Sequence, residues 1–179
     1  KYKKNMKSIT IQSDRFILRT LNQGDVSDRY LKWLCSQDNP QIRYTRKKHD
    51  IKEVKSYVSQ RENDDTVLFL GIFVRDSGNH IGNIKYEPIV IEEHQATMGI
   101  LIGEKSWRGA GVATEVINAT VIWLQKNLGI REFFLGVDLD NIYAIKAYEK
   151  SGFTKTDIPH DSENIIIMQL GLNILEKRQ

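Results

Sequence analysis

Apolar and polar residues form short, strand-like patterns in several parts of the first half of the chain. Residues 15–21 alternate between apolar and polar side chains, whereas residues 67–74 are almost continuously apolar. Residues 81–86 follow the polar segment Asp76-Ser77-Gly78-Asn79, which is typical of a hairpin turn. The pattern therefore predicts a half-buried strand at 15–21 and a β-hairpin between residues 67 and 86.

Two helices are predicted between this first strand and the hairpin. The first starts at Gly24-Asp25 with Asp25 as its N-cap, and the second starts at Asp50, which forms an approximate capping box with Glu53. Each helix has an apolar face at helical spacing, and these faces comprise Val26, Tyr30, Trp33 and Leu34 in the first helix and Ile51, Val54 and Val58 in the second. Both helices are therefore expected to pack on the sheet.

A long amphipathic helix is predicted in the second half of the chain. Its apolar positions recur at i, i+3, i+4 and onward, and they comprise Ala113, Val116, Ile117, Thr120, Val121, Leu124 and Leu128. Gly129 is expected to end this helix. Residues 98–102 before it and residues 133–137 after it are apolar runs of strand length. The spacing thus predicts a strand, a long helix and another strand in succession.

The end of the chain adds one helix and one strand. Asn141 suits the N-cap and Gly152 the C′ position of a short helix, and residues 165–170 have the pattern of a terminal strand. The order of strand, two helices, three strands, helix, strand, helix, strand predicts an α/β (α+β) fold. Because no repeat or linker divides the chain, we expect a single domain over residues 1–179, with residues 1–10 assigned to a flexible tail or an expression remnant.

Composition and charge exclude several classes of protein. The 179 residues are 40% hydrophobic and 27% charged, which is ordinary for a globular domain with a substantial core. The formal charge of +3 is too small to predict nucleic-acid binding. No apolar run approaches the roughly 20 residues of a membrane span. The four histidines, which are His49, His80, His94 and His160, lack the spacing of metal ligands, so we expect no metal.

Cysteine usage indicates the compartment. Cys35 is the only cysteine, which excludes an intramolecular disulfide and favours a reducing, cytoplasmic setting. Its place in the first predicted helix, near the apolar face, predicts a buried structural thiol.

The segment Trp107-Arg108-Gly109-Ala110-Gly111-Val112-Ala113-Thr114 links the strand at 98–102 to the long helix. The N–H groups of the first helical turn have no intrahelical partner, and the helix dipole favours an anion there. Glycine also lets a ligand approach the backbone closely. A strand, a turn of small residues and a helix start therefore predict a phosphate-binding loop.

Two familiar phosphate-binding motifs fit this loop poorly. A dinucleotide-binding fingerprint requires G-x-G-x-x-G, and although Gly109 and Gly111 fit, Thr114 stands in place of the third glycine. A P-loop requires a lysine directly after its last glycine, and none follows Gly111. The third candidate is R-x-x-G-x-A, which Arg108, Gly111 and Ala113 match.

This third pattern resembles the acetyl-CoA pyrophosphate loop of the GCN5-related N-acetyltransferase (GNAT) superfamily, written Q/R-x-x-G-x-G/A. Residues 141–153 resemble a second motif of that family, N-x-x-A-x-x-x-Y-x-K-x-G-F, in the residues Asn141, Ala144, Tyr148, Lys150, Gly152 and Phe153. Loop, helix, strand and second motif occur in the family's order and spacing. The opening residues 18–21 and 30–34 resemble the branch of ribosomal-protein alanine N-acetyltransferases (RimJ/RimL-type).

The resemblance implies a mixed central sheet of six to seven strands, splayed at its centre, with helices on both faces. It implies that acetyl-CoA is the co-substrate and that its pantetheine arm lies between the strands at 98–102 and 133–137. The residues that it assigns to CoA are the backbone of Leu101 and Ile102, the loop residues Arg108, Gly109, Ala110, Gly111, Val112, Ala113 and Thr114, and Asn141. Asn141 can serve as an N-cap at the same time.

The resemblance also assigns a catalytic acid but leaves the base open. Tyr148 matches the family tyrosine that donates a proton to the CoA thiolate, and its alternative role is that of a core tyrosine. Relatives often carry glutamate one residue before the apolar part of the strand at 98–102, where this chain has Thr97. Glu92, Glu93 and His94 are expected to lie in a solvated turn. A water chain, or an amine deprotonated by its surroundings, could replace a side-chain base.

The implied function is transfer of an acetyl group to a primary amine by direct attack, with a protein N-terminus or an amino (nucleotide) sugar as acceptor. A non-catalytic acyl-CoA-binding module and a small-amine or polyamine acetyltransferase remain alternatives. A basic cluster, comprising Arg43, Arg46, Lys47, Lys48 and His49, is either a solvated surface or a contact for an acidic acceptor. The expected partners are acetyl-CoA and the amine, without membrane or nucleic acid, and the expected state is a monomer or homodimer.

Overall fold

The structure is a computed structural model that describes residues 8–35 and 50–172. The strands are β1 (Thr10–Gln12), β2 (Phe16–Thr20), β3 (Leu68–Val74), β4 (His80–Val90), β5 (Gln95–Ile102), β6 (Glu132–Asp138), β7 (Thr154–Lys155) and β8 (Ile165–Gly171). The α-helices are α1 (Asp28–Cys35), α2 (Ile51–Glu62), α3 (Val112–Leu128) and α4 (Ile142–Lys150). The strands form one sheet in the order β1-β2-β3-β4-β5-β6-β8-β7, and all neighbours are antiparallel except β5 and β6.

The predicted fold class is confirmed, but the predicted number of six to seven strands is wrong for the described chain. The additional strands β1 and β7 have three and two residues, which is too short for a visible alternation. The expected tail at residues 1–10 is also wrong at its end, because Thr10 is the first residue of β1 and Ile9 is hydrogen-bonded to Thr20. The Ile9 N–H donates to the Thr20 hydroxyl at 2.9 Å, and the Ile9 carbonyl accepts from the Thr20 N–H at 3.0 Å. Residues 1–7 lie outside the described residues.

The start of the first helix differs from the prediction. Asp25 is not its N-cap but ends a 3-10 turn, in which its carboxylate accepts from the Asn22 N–H at 3.0 Å. The same carboxylate is held by both terminal nitrogens of Arg19, at 2.6 and 2.9 Å. The helix starts three residues later, and the Ser27 hydroxyl caps it by accepting from the Tyr30 N–H at 3.2 Å. Because Arg19 and the Asn22 N–H engage the Asp25 carboxylate, it does not cap α1.

Cys35 is exposed, so the prediction of a buried thiol is wrong. It is the last residue of α1, whose buried residues are Tyr30 and Trp33. Because successive residues of a helix turn by about 100°, Cys35 points away from the face that Trp33 occupies.

The two faces of the sheet have separate cores. Helices α3 and α4 cover one face, where Phe16, Ile84, Val116, Ile117, Leu124 and Phe133 are fully buried. Burying such a side chain contributes about 1.5–3 kcal/mol. Helices α1 and α2 cover the other face with Leu21, Tyr30, Trp33, Val54, Val58 and Phe69. Helices therefore lie on both faces, as predicted, and none of the four is long and apolar enough to span a bilayer.

Candidate active site

A gap opens in the middle of the sheet between β5 and β6, which are the only parallel pair among the described strands. Residues 95–97 of β5 pair with residues 132–134 of β6, and the pairing stops there. From residue 98 onward β5 keeps β4 as its neighbour. The carboxyl ends of β5 and β6 thus diverge, which leaves main-chain groups at their facing edges for a ligand.

The direction of these main-chain groups follows from the pairing of β5 with β4. In an antiparallel pair, residues that bond to the neighbour alternate with residues that point away from it. The Gly103 N–H donates to the Ile81 carbonyl at 2.9 Å. Two residues earlier, Leu101 therefore also faces β4, whereas Ile100 and Ile102 face the gap. Leu101 and Ile102 were predicted to pair with pantetheine through their backbone. Of the two, only Ile102 has main-chain groups that face the gap.

The loop over residues 108–114 lies at the open end of β5 and leads into α3. Gly109 and Gly111 have φ angles of 73° and 74°, in the left-handed region that favours glycine. A Cβ on Gly109 would meet no atom within 4 Å, so the conformation and not the available space requires glycine there. Val112 is buried and anchors the helix start, while Ala110 is exposed. The N–H groups of Ala113 and Thr114 lie in the first turn, where they have no intrahelical acceptor.

The Arg108 side chain turns back from the loop toward the end of β5. Its Nε donates to the Ile102 carbonyl at 3.0 Å and one terminal nitrogen donates to the Gly103 carbonyl at 3.3 Å. Arg108 therefore holds the loop against the strand end. The Ile102 carbonyl thus already accepts a hydrogen bond from Arg108.

Asn141 and Tyr148 lie on the helix that follows β6, on the other side of the gap. The Asn141 side chain caps α4 by accepting from the Ala144 N–H at 3.2 Å. The Tyr148 ring packs near Phe153, with ring centroids 6.1 Å apart, and its phenol has no hydrogen bond to another described residue. Burial raises the pKa of Tyr148 to about 12, so the phenol keeps its proton at neutral pH. A proton donor and a packed core tyrosine are both compatible with this environment.

Thr97 is exposed at the point where β5 and β6 separate. The pairing with β4 shifts between Tyr86 opposite Met98 and Ile89 opposite Ala96. Glu87 therefore lies in a bulge opposite Thr97, a position that the sequence alone did not reveal. Pro88 in the middle of a strand pattern was the available signal, because proline inside a sheet is typical of bulges.

Glu87 belongs to a charged cluster that also contains Lys85, Tyr57 and Arg61. The Lys85 Nζ lies 2.5 Å from a Glu87 oxygen and donates to the Tyr57 hydroxyl at 2.6 Å. Arg61 approaches the other Glu87 oxygen at 3.4 Å. Burial opposes the charge on Lys85, but its hydrogen bonds to Glu87 and Tyr57 outweigh burial and raise its pKa. Lys85 is therefore protonated at neutral pH and cannot serve as a base.

The face of β5 that carries Thr97 is open at Gly99. A Cβ on Gly99, which pairs with Lys85 across the strands, would meet no atom within 4 Å. The same face carries Leu101, which packs with the core beneath α1 and α2. The edge of the gap beside Gly99 is therefore open, with the Glu87 cluster on one side.

Other predicted residues lie away from the gap. Glu92 and Glu93 lie in an exposed 3-10 turn, and His94 follows it with its Nδ1 atom 2.9 Å from the Gly129 carbonyl. The predicted solvated turn is therefore present. The basic cluster between residues 43 and 49 lies outside the described residues. Within residues 8–35 and 50–172, no group of three or more His, Cys, Asp or Glu side chains could hold a metal ion.

Comparison with known proteins adds to this geometry. The sequence profile of the acetyltransferase (GNAT) domain matches residues 15–154. An N-acetyltransferase 9-like protein from Caenorhabditis briggsae is 25% identical in an alignment of 138 residues that covers 72% of this chain and 69% of that protein.

Two solved structures are similar in fold. The RimL ribosomal L7/L12 α-N-protein acetyltransferase, in complex with coenzyme A, has a TM-score of 0.78 and 14% identity and covers 92% of this chain and 98% of its own. The microcin C7 self-immunity acetyltransferase MccE, in complex with acetyl-CoA and AMP, has a TM-score of 0.74 and 17% identity. It covers 89% of this chain and 93% of its own. At such identities the likeness shows a shared fold.

Proposed function

Because this chain belongs to the acetyltransferase (GNAT) family, we propose that it transfers an acetyl group from acetyl-CoA to a primary amine by direct attack. The gap between β5 and β6 supports the proposal, since the strand edges there are unpaired, the loop before α3 follows β5, and the helix that carries Tyr148 follows β6. We propose residues 1–179 as one N-acetyltransferase domain, acting as a monomer or homodimer. With one exposed thiol, Cys35, a reducing compartment such as the cytoplasm is the proposed setting.

Acetyl-CoA fits the described residues. The exposed loop with Gly109, Ala110 and Gly111 leaves its backbone open to a diphosphate. The first-turn amides, including those of Val112, Ala113 and Thr114, would donate to its oxygens, and Arg108 would hold the loop in place. The gap would receive the pantetheine arm, with main-chain contacts from Ile100 and Ile102 in place of Leu101, and with Asn141 at the start of α4.

The proposed reaction forms one C–N bond and breaks one C–S bond. The neutral amine attacks the thioester carbonyl carbon, and a main-chain N–H group at the gap stabilises the developing oxyanion. When the tetrahedral intermediate collapses, the CoA sulfur leaves as a thiolate and takes the proton of the Tyr148 hydroxyl. The tyrosine regains a proton from solvent, and the proton lost by the amine goes to a base.

We assign the role of base to Glu87. Its place opposite Thr97 brings a carboxylate to the strand position where Thr97 itself cannot accept a proton. Glu87 is 28% exposed, so it can accept the amine proton directly or through a water molecule. The Lys85 and Arg61 contacts orient the carboxylate.

The acceptor that we propose is a protein N-terminus or an amino (nucleotide) sugar. The opening of the chain, which resembles the ribosomal-protein acetyltransferase branch, favours the protein N-terminus. A small amine or polyamine is the alternative acceptor, and a non-catalytic acyl-CoA-binding module is the alternative function. The module remains a candidate because a threonine replaces the carboxylate often found at position 97.

A combined binding and turnover experiment tests the proposal. Acetyl-CoA binding is measured by calorimetry, and CoA thiol release is measured with peptides bearing free N-termini, a uridine diphosphate amino sugar and spermidine, with mass spectrometry of each product. We expect binding and amine-dependent thiol release with one class of acceptor. Binding without turnover on any amine supports the module, and absence of acetyl-CoA binding contradicts both.

A further inference from the structure

The turn between β1 and β2 packs against the loop over residues 108–114, although the two segments are far apart in the chain. Phe16, at the start of β2, is fully buried, and its ring meets Trp107 edge-on with centroids 5.4 Å apart. Arg15 contacts Ala110, 95 residues later in the chain. The hairpin therefore forms one wall of the loop.

The Arg15 guanidinium is held at the loop by two hydrogen bonds. Its Nη1 donates to the Ala110 carbonyl at 3.0 Å, and its Nε donates to a Glu115 oxygen at 2.7 Å. Its third nitrogen, Nη2, lies 3.8 Å from the position that a Cβ on Gly111 would take. Within the described part of the chain Nη2 has no hydrogen-bond partner, and the side chain is 41% exposed. Two N–H donors thus lie beside the loop backbone.

Glu115 explains why the guanidinium keeps this orientation. It lies in the first turn of α3 and accepts from the Ser13 hydroxyl at 2.7 Å and from the Arg15 N–H at 2.8 Å, in addition to the Arg15 side chain. Burial opposes its charge, but these three contacts prevail and lower the pKa of Glu115. The carboxylate is therefore anionic at neutral pH. Its hydrogen bond with Nε holds the guanidinium in an orientation in which Nη2 faces the loop.

We propose that Arg15 binds the diphosphate of acetyl-CoA through Nη2, as a cation that complements the neutral amides of the loop and the α3 start. The proposal rests on the proposed function, because it assigns a residue to the same acetyl-CoA site. A guanidinium fits the task since its fork of N–H donors matches phosphate oxygens and its charge does not titrate. The sequence motif R-x-x-G-x-A does not include this cation, because Arg108 is engaged with the end of β5.

The test is calorimetric titration of acetyl-CoA into the wild-type protein and the variant Arg15→Gln. Loss of a charge-assisted hydrogen bond predicts a Kd about 10- to 100-fold higher in the variant. The ratio of the variant Kd to the wild-type Kd is expected to shrink at high salt, where exposed charges are screened. Arg131→Gln, which removes an equal charge next to the opposite end of β6, is the matched control and is expected to leave the Kd unchanged.

Two further variants separate a direct contact from support of the fold. Arg15→Lys keeps the charge without the fork, and we expect its Kd to lie between those of the wild type and Arg15→Gln. In Arg15→Gln/Glu115→Gln the unpaired carboxylate is absent, and we expect binding to stay at least about 10-fold weaker than in the wild type. Wild-type affinity in Arg15→Gln, or full recovery in the double variant, overturns the proposal. Absence of acetyl-CoA binding by the wild type contradicts instead the proposed function.

Discussion

At the scale of single residues, the environment decides which chemistry a side chain can perform. Tyr148 and His80 both lie in largely apolar surroundings, and burial shifts both pKa values toward the neutral form. For Tyr148 the neutral form is the proton donor that thiolate departure needs. For His80 the neutral ring is the form that packs against the aromatic side chains of α1. The same physical effect therefore serves a proposed catalytic role in one case and stability in the other.

Replacing Tyr148 with phenylalanine tests the catalytic role. We expect turnover to fall about 10- to 1000-fold, because one general acid is lost. The Kd for acetyl-CoA is expected to stay nearly the same, since the phenol has no hydrogen bond to another described residue and the ring remains. Steady-state turnover and calorimetry measure the two quantities separately. Unchanged turnover removes Tyr148 from the mechanism.

His80 makes stability depend on pH. Its ring stacks on Phe73 at 4.7 Å, and its Nε2 donates to the Asn83 side-chain oxygen, 2.8 Å away. Burial lowers the pKa of His80, so the unfolded chain takes up a proton before the folded protein does. The stability that the neutral ring contributes is complete above the unfolded pKa of about 6.5 and is lost as the pH falls through the lower folded pKa.

Urea unfolding at pH 7.5 and pH 5 measures this effect in His80→Gln and, as a control, in His94→Gln, whose imidazole is exposed. We expect the loss of unfolding free energy between the two pH values to be smaller in His80→Gln than in the wild type. The exposed-histidine variant is expected to keep the wild-type loss. Equal pH dependence in all three proteins contradicts the assignment to His80.

At the scale of elements, strand register positions side chains that the sequence keeps apart. The α-helices and the six longer strands were predictable, because periodicity and caps act within a few residues. The bulge in β4 was not predicted, since it depends on which strand lies alongside. That bulge brings the Glu87 carboxylate, on β4, opposite Thr97 on β5.

The variant Glu87→Gln tests this assignment with the acceptor that reacts in the amine panel. We expect kcat/KM for the amine to fall about 100- to 10,000-fold, because a general base is lost. Acetyl-CoA affinity is expected to stay unchanged.

A second variant restores the carboxylate from the other strand. Glu87→Gln/Thr97→Glu is expected to recover part of the activity, whereas Glu92→Gln, in the exposed turn, serves as the control and is expected to have wild-type activity. Wild-type rates in Glu87→Gln exclude Glu87 as the base.

At the scale of the whole molecule, the gap between β5 and β6 separates the two sides of the proposed ligand site. The loop and α3 follow β5, and α4 follows β6. Beyond residues 97 and 134 these strands no longer pair with each other. A ligand that bridges the gap is therefore expected to stabilise the folded protein as a unit.

Thermal unfolding with added ligands measures this stabilisation. At 100 times its Kd, acetyl-CoA is expected to add about 2.7 kcal/mol, which raises the Tm of a domain of this size by roughly 5–11 °C. NAD at the same concentration is the control and is expected to leave the Tm unchanged, because Thr114 breaks the dinucleotide fingerprint. Stabilisation by NAD and not by acetyl-CoA contradicts the proposed ligand.

The sequence by itself determined the order of the α-helices and the six longer strands, the loop after β5 and the capped helix that carries Tyr148. Those features depend on periodicity, glycine conformation and capping, which are properties of neighbouring residues. Only the tertiary structure decided the contact of Arg15 with Ala110, the bond between Ser13 and Glu115 across 102 residues, and the position of Glu87. Such contacts depend on strand pairing, and local periodicity does not specify the partner or the register of a strand.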